Sequence, residues 1–478
     1  MYVIYIHYKN EMKNKRPPNT PPPAPCLTVA PTQALRLFLR AVTLSDIQAP
    51  PGFYERLWTP LITLWYLLWQ WLQPKHTLER VVGDARRGGA DRLCAPGRPL
   101  SKDLRSRATT AYSKARRRLP LDWVRRCFGK LAAVLLTLGN WRSQDLPVEV
   151  LDGSTKRLRP YGGIPKHFPP HRTRRKNAYW CVARVLVSFC AATGIATAAL
   201  IASMHVSEQA LAVQLILQAA RPVLYVGDRN FGVWRVVRAA LQSGGHALVR
   251  LTQVRARRLL GRKRLPAFLD RAVVWTPSDH DQVDAGLGKE PVPGRLLILK
   301  AHRPGFRPQN LYLFTTLTDV QAYPPQRLLE LYGWRWQAEL NFRTVKSTMQ
   351  MGQSETKSAD MASKEFYAGL MAYNLVRGLM AAAAEQSGCR PLELSFTKVH
   401  GLLASVVKEM FMACMTDTAR DSRLEWLLAE ASAAKLPRRR KPRQSEPRAQ
   451  YYPPQTFPKI KGSRQEARQA LKKSTPKS

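Results

Sequence analysis

Cys181 to Met204 reads CVARVLVSFCAATGIATAALIASM, and two folds compete for it. As one helix it is long enough to cross a bilayer, which takes roughly 20 apolar residues. However, Arg184 lies inside the run, Thr193-Gly194 interrupts it, and alanine and valine fill the two halves. Two strands joined by a turn, buried in a sheet, fit that pattern better. Leu57 to Leu72, LWTPLITLWYLLWQWL, is apolar but too short to span. It reads as a buried helix ending near Pro74. With no clean apolar leader at the start, the expectation is a cytoplasmic protein without a membrane segment.

Outward from the paired strands, the texture stays that of a sheet. Upstream, LPVEVLD (Leu146 to Asp152) is a short apolar strand ending in Asp-Gly, followed by the basic loop TKRLRPYGGIPKHFPPHRTRRK. Downstream, Ser207 and Glu208 open a helix, SEQALAVQLILQAA. RPVLYVGD (Arg221 to Asp228) is a second strand ending in Asp, and a helix (VWRVVRAALQSGG) and a strand (HALVRLT) come after it. Strands in series, then strands alternating with helices, give an α/β fold with a mixed sheet flanked by helices. Residues 255–310 are irregular and read as an inserted β-rich subdomain. NLYLFTTLTD (Asn310 to Asp319) is again a strand, and Pro324-Pro325 open the next helix. Residues 364–430 are mostly helical.

The ends differ from the middle. Residues 1–30 include RPPNTPPPAP, and a proline-rich, disordered segment is expected there. Residues 31–140 read as a helical, basic domain. Its SRATTAYSKARRRLP, with Arg105, Arg107, Lys114, Arg116, Arg117 and Arg118, suggests a helix-turn-helix-like DNA-binding module. Residues 145–435 form the main domain. Residues 436–478 read as a disordered basic tail.

Charge narrows the partner. Of 478 residues, 76 are Lys or Arg and 33 are Asp or Glu, a formal net charge of +43. An excess that large calls for a polyanion, DNA or RNA before an anionic membrane. The seven cysteines show no C-x-x-C spacing and read as reduced core residues.

One stretch brings chemistry. LYGWRWQAELNFRTVKSTM (Leu331 to Met349) is rich in aromatics and arginine yet carries a single acid, Glu339. Read as a helix, Leu331, Trp334, Ala338, Phe342, Val345 and Met349 make one apolar stripe. Tyr332, Arg335, Glu339 and Lys346 make a second stripe beside it, at the seam between core and solvent. Arg335 and Glu339 alone could be an i,i+4 ion pair worth a few tenths of a kcal/mol. A carboxylate among cations also suits a metal ion that bridges to a phosphate, but one carboxylate does not fix such an ion. Asp152 and Asp228 can join it if their strands lie side by side and point the same way. Each alone reads equally well as a turn or helix-capping residue.

DGST at Asp152, YVGDRNFG at Asp228 and Y-x2-R-x3-E-x6-K from Tyr332 to Lys346 resemble the DDE transposases of bacterial insertion sequences, in the group with the Tyr-Arg-Glu-Lys signature. RPGFRPQNLYLFTTLTD and AGLMAYNLVRGLM are similar to stretches before and after that group's signature helix, so the likeness runs from about Asp46 to Leu428. It implies a ribonuclease-H-like core with a β-rich insertion between the second Asp and the Glu. It implies Asp152, Asp228 and Glu339 as a metal-binding catalytic triad. Tyr332, Arg335 and Lys346 would grip the element end near its terminal phosphates, and Trp336 would stack on a displaced base. Arg229 and Arg343, beside these motifs, are further candidates for DNA contact, and HRTRRK (His171 to Lys176) for flanking DNA.

The activity so implied is end binding, metal-dependent strand cleavage and strand transfer. It would use two Mg²⁺ or Mn²⁺ ions per site, on double-stranded terminal repeats and target DNA. A homodimer in the synaptic complex and a nucleoid-associated location go with it. A nuclease without strand transfer and an inactive transposase-derived DNA-binding protein are the alternatives. SDHDQVDAG (Ser278 to Gly286) has the wrong acid spacing for a calcium loop and reads as a solvated loop.

Overall fold

A computed structural model describes residues 31–52, 57–138, 146–172, 177–279, 281, 286–301, 309–412 and 414–437, with a few positions between 462 and 469. The expected disordered ends, residues 1–30 and most of 436–478, therefore lie outside the described residues.

Six helices come first: α1 (Pro31–Val42), α2 (Pro60–Leu72), α3 (Leu78–Ala85), α4 (Leu100–Asp103), α5 (Thr110–Arg118) and α6 (Leu121–Leu135). Helix α2 starts later than the apolar run, because Thr59 caps it by accepting the Ile62 N–H and Pro60 fits its first turn. Nearly all of it is buried, as its all-round apolar sequence requires.

The strands are β1 (Val148–Leu158), β2 (Pro170–Arg172), β3 (Asn177–Cys190), β4 (Ala196–Ser203), β5 (Leu224–Gly227), β6 (His246–Arg250), β7 (Leu269–Trp275), β8 (Val292–Ala301), β9 (Gln309–Thr315) and β10 (Gln353–Ser354). They form one ten-stranded mixed sheet in the order β2-β3-β1-β5-β6-β9-β8-β7, with β4 on β3 and β10 on β1. Cys181 to Met204 is thus the β3–β4 hairpin, turned at Gly194 with φ +75°. Among the described residues no helix is long and apolar enough to cross a membrane.

Two helices pack on one face of the sheet, α8 (Glu208–Leu217) and α9 (Trp234–Gln242). Ser207 caps α8 by accepting the Ala210 N–H. The short α7 (Ile164–His167) follows β1, and α10 (Gln253–Leu260) follows β6. The other face carries α11 (Pro325–Gly333), α12 (Arg335–Arg343) and α13 (Ala359–Gln386), backed by α14 (Phe396–Val406) and α15 (Asp417–Ala433). Helix α13 packs against α1, α2, α6, α14 and α15, so the N-terminal helices share one hydrophobic core with it.

Three readings change. LPVEVLD does not end at Asp152: β1 runs on to Leu158, paired with β3 from Glu149 to Leu158. Gly153 makes no turn; it stays in the strand, where an added Cβ would lie 2.5 Å from the Glu208 side chain. Residues 255–310 contribute α10, β7 and β8, and the two strands extend the main sheet through β9. Finally, Leu331 to Met349 is not one helix. It breaks at Trp334 and passes from α12 into a π-helical turn, Thr344–Thr348.

Candidate active site

Strands β1 and β5 are parallel and neighbours, with Val150 opposite Val226. Asp152 and Asp228 each follow that pair by two residues, so they stand level on the same face of the sheet. Val150 and Val226 on that face belong to the core beneath α11–α13. Helix α12 packs across β1 and brings Glu339 to them.

The charges follow from that proximity. Burial pushes the Asp152 carboxyl up to about 7, and the negative charges of Asp228 and Glu339 push the same way. The Gly153 N–H at 2.9 Å and the Arg335 guanidinium oppose them. Asp228 accepts the Asn230 N–H at 2.7 Å, and Glu339 accepts from Arg335 at 2.8 Å. Among the described residues no group of three acid, histidine or cysteine side chains is arranged to hold a metal ion as it stands. The donor chemistry nevertheless fits a hard cation: carboxylate oxygens only, with a half-buried Asp152 whose charge lacks a full counter-ion. One of the three is turned to an arginine instead.

The cations line the same edge. Burial pulls Arg335 down, but Tyr332, Glu339 and Asp228 outweigh it, and the net shift is upward. Lys346 is half-buried and lowered by burial, against the pull of Asp152. Tyr332 is raised, chiefly by burial, and its buried hydroxyl has no hydrogen bond of good geometry. Trp336 is exposed, with the Arg335 guanidinium 5.4 Å from its ring centroid. Arg343 and Arg229 are exposed on α12 and after β5.

Two cations need a different account. Arg250 was not singled out in the sequence, yet β6 pairs with β5 so that Arg250 falls level with Asp228, beside Tyr332. Its Nε is buried without a partner. The sequence shows Arg250 at the end of a strand, but only the sheet order sets that strand beside the one before Asp228. Arg116, conversely, is buried and paired to Glu365 at 2.9 Å, so it is not free for DNA, while Arg105, Arg107, Lys114, Arg117 and Arg118 remain exposed. Of HRTRRK, His171 and Arg172 lie in β2, and Thr173 to Lys176 are outside the described residues. In SDHDQVDAG, Asp281 accepts from the Ser278 N–H and hydroxyl.

The family model of the transposase DDE domain matches residues 144–375, a span that holds all three acids. The chain is also 28% identical over 428 residues to the transposase InsG for insertion sequence element IS4 of Escherichia coli (strain K12), covering 83% of this chain and 86% of that protein. Residues 144–375 are a transposase DDE domain, and the function is that of an insertion-sequence transposase. The transposase therefore binds DNA, and cuts and joins its strands with the help of divalent metal ions, as its family does. Among solved structures it is similar to the piggyBac transposase synaptic complex with hairpin DNA, at 10% identity and a TM-score of 0.38 over 83% of this chain and 85% of that one. That overlap is too loose to define the fold of the transposase.

Proposed function

We propose that Asp152, Asp228 and Glu339 are the catalytic triad and hold two Mg²⁺ or Mn²⁺ ions, on a sheet of the ribonuclease-H-like kind. The observation that carries this reading is the level placement of Asp152 and Asp228 on adjacent parallel strands, with Glu339 close enough to raise Asp152. When bound, such ions activate a water or a 3′-hydroxyl and stabilise the leaving oxygen.

The chain's own residues do the rest. The three carboxylates hold the ions. Tyr332, Arg335 and Lys346 hold phosphates of the element end, and Arg250 joins them. Its Nε is buried without a partner, and the Tyr332 hydroxyl beside Arg250 has no hydrogen bond of good geometry. Buried donors without partners are costly, and phosphate oxygens satisfy them. Trp336 is exposed beside Arg335, where it can stack on an unpaired base. Arg229 and Arg343 add surface charge along the DNA path. The exposed cations of α5 and the segment before it form part of an N-terminal DNA-binding region, residues 31–140, ahead of a catalytic region at 145–435. Two ends must be cut and joined together, so the working form is a homodimer on paired terminal repeats, acting on target DNA at the nucleoid in the cytoplasm.

Labelled element ends, incubated with the purified protein and Mg²⁺ or Mn²⁺, test the reading. Wild type is expected to nick the ends and join pre-cut ends to plasmid DNA. Glu339→Gln is expected to bind the ends and do neither, losing activity by about a thousandfold or more. Retained cleavage in that variant removes Glu339 from the triad. Cleavage without joining in wild type makes the protein a nuclease.

A further inference from the structure

Arg377, on α13, is buried at 5% exposure, and among the described residues no carboxylate accepts from it. Its Nη2 donates to the Asn341 side-chain oxygen at 2.8 Å and its Nε to the Tyr373 hydroxyl at 2.9 Å. Its guanidinium lies 5.1 Å from the Phe396 ring centroid and 5.3 Å from that of Tyr373. The other buried arginines are different: Arg116 is paired with Glu365, and Arg295 with Asp270. A buried cation held only by neutral groups is expensive, and an apolar side chain of the same volume would be more stable. Its presence there asks for a role.

Asn341 supplies one. It lies on α12, 1% exposed, two residues past Glu339. Two residues turn a helix by roughly 200°, so Asn341 points almost opposite to Glu339. Helix α12 has nine residues, no side-chain N-cap, a break before it at Trp334 and a π-helical turn after it. Such a segment does not set its own rotation. Ala338 and Phe342 fix how deep it sits, with Phe342 edge-on to Phe189 at 5.3 Å. Apolar contacts tolerate rolling, whereas a hydrogen bond is directional.

The far end of Arg377 is fixed to the sheet. Tyr373 donates to the Gly194 carbonyl at 2.8 Å, and Asn374 exchanges two hydrogen bonds with the Ala196 backbone. A Cβ on Gly194 would lie 3.1 Å from Arg377 and 3.2 Å from Asn341, so the β3–β4 turn closes directly on this pair.

We infer that Arg377 is a positioning residue for the catalytic site: through Asn341 it sets the rotation of α12 and so keeps Glu339 on the side of the helix that faces Asp152. The inference rests on Glu339 being a metal ligand, and the test separates the two.

Mn²⁺ binding to the full chain on duplex element-end DNA is measured by electron paramagnetic resonance for wild type, Glu339→Gln, Arg377→Met and the double variant. Arg377→Met is expected to fold, to bind DNA as wild type does, and to weaken Mn²⁺ binding by about tenfold or more. The double variant is expected to bind no more weakly than Glu339→Gln, because the arginine acts only through the glutamate. Arg377→Lys is expected to fall between wild type and Arg377→Met. Where Arg377→Met fails to fold, Asn341→Ala breaks the same link from the other side and is expected to weaken Mn²⁺ binding alike. Loss in Glu339→Gln with none in Arg377→Met or Asn341→Ala overturns the inference and leaves the triad standing. Additive losses in the double variant also overturn it. No loss in Glu339→Gln overturns both.

Discussion

The Asp152 carboxyl lies between two strands and a helix, with Asp228 and Glu339 as neighbours of its own sign. Its ordinary value is 3.8, and in the folded chain it rises to about 7, first through burial and then through those neighbours. Below about pH 4 it is protonated whether the chain is folded or not, and contributes nothing. As pH rises from there to about 7, the unfolded chain gives up the proton while the folded chain keeps it, so stability falls. Above about pH 7 the folded chain bears the whole cost. In metal-free protein Asp152→Asn is therefore expected to be more stable than wild type at pH 8, by on the order of 2–4 kcal/mol. The gain is expected to vanish near pH 4. Saturating Mn²⁺ should reverse the order at pH 8, since an ion that binds only the native wild type stabilises it. Urea melts at the two pH values with chelator, then with Mn²⁺, read this directly. A gain of equal size at both pH values would mean that packing, not charge, is what the substitution relieves.

At the scale of elements, Arg295 on β8 shows how the sheet extension is tied to the signature helices. It is 2% exposed, pairs with Asp270 on β7 through two hydrogen bonds, and donates to the Leu317, Asp319 and Tyr323 carbonyls just before α11. Removing one partner of a buried pair strands the other charge. Asp270→Asn is expected to cost about 3 kcal/mol, and Asp270→Leu with Arg295→Met to recover most of it. Denaturant melts check this, and an Asp270→Asn loss under about 0.5 kcal/mol would show that the carbonyls alone satisfy Arg295. The strands and caps were readable because their signals are local: alternation, Ser207, Pro325 and the Thr193-Gly194 break. The extent of β1 was not, because Asp-Gly is a turn signal that here yields to pairing with β3 and to the nearness of Glu208. Nor was the break at Trp334 readable, since a helix that packs across a strand can change its winding without changing which residues are buried. Leu331, Ala338, Phe342, Val345 and Met349 are all buried as a single helix would have them. Arg250 stayed hidden for the same kind of reason: its neighbours come from strand order, which the chain writes only in three dimensions.

The whole molecule adds what no single stretch carries. Residues 31–140 read as a basic helical unit, and their exposed arginines keep that character. Yet α2 presents apolar side chains on every side, and a helix of that kind needs cover all round. It is covered by α5, α13 and α14, with Trp65 against Phe411 at 4.3 Å. Polar links cross the same boundary: Arg116 to Glu365, Lys364 to the Arg117 carbonyl at 2.9 Å, and Lys156 of β1 over the Trp71 ring at 5.3 Å. Burial lowers that Lys156 ammonium to about 8, so it too depends on α2 staying in place. A boundary crossed by a shared core and buried charges does not open without exposing both. The N-terminal helices and the sheet are therefore expected to unfold together, in one calorimetric transition whose calorimetric and van't Hoff enthalpies agree. Gln70→Leu reports from inside the boundary, because the Gln70 amide oxygen accepts from Tyr112 at 2.8 Å and the substitution leaves that buried hydroxyl without its partner. It is expected to lower the single transition as a whole, with a loss of about 1–3 kcal/mol. A split into two transitions, the first moved by Gln70→Leu and the second unmoved, would show the helices to be an independent domain resting on the catalytic sheet.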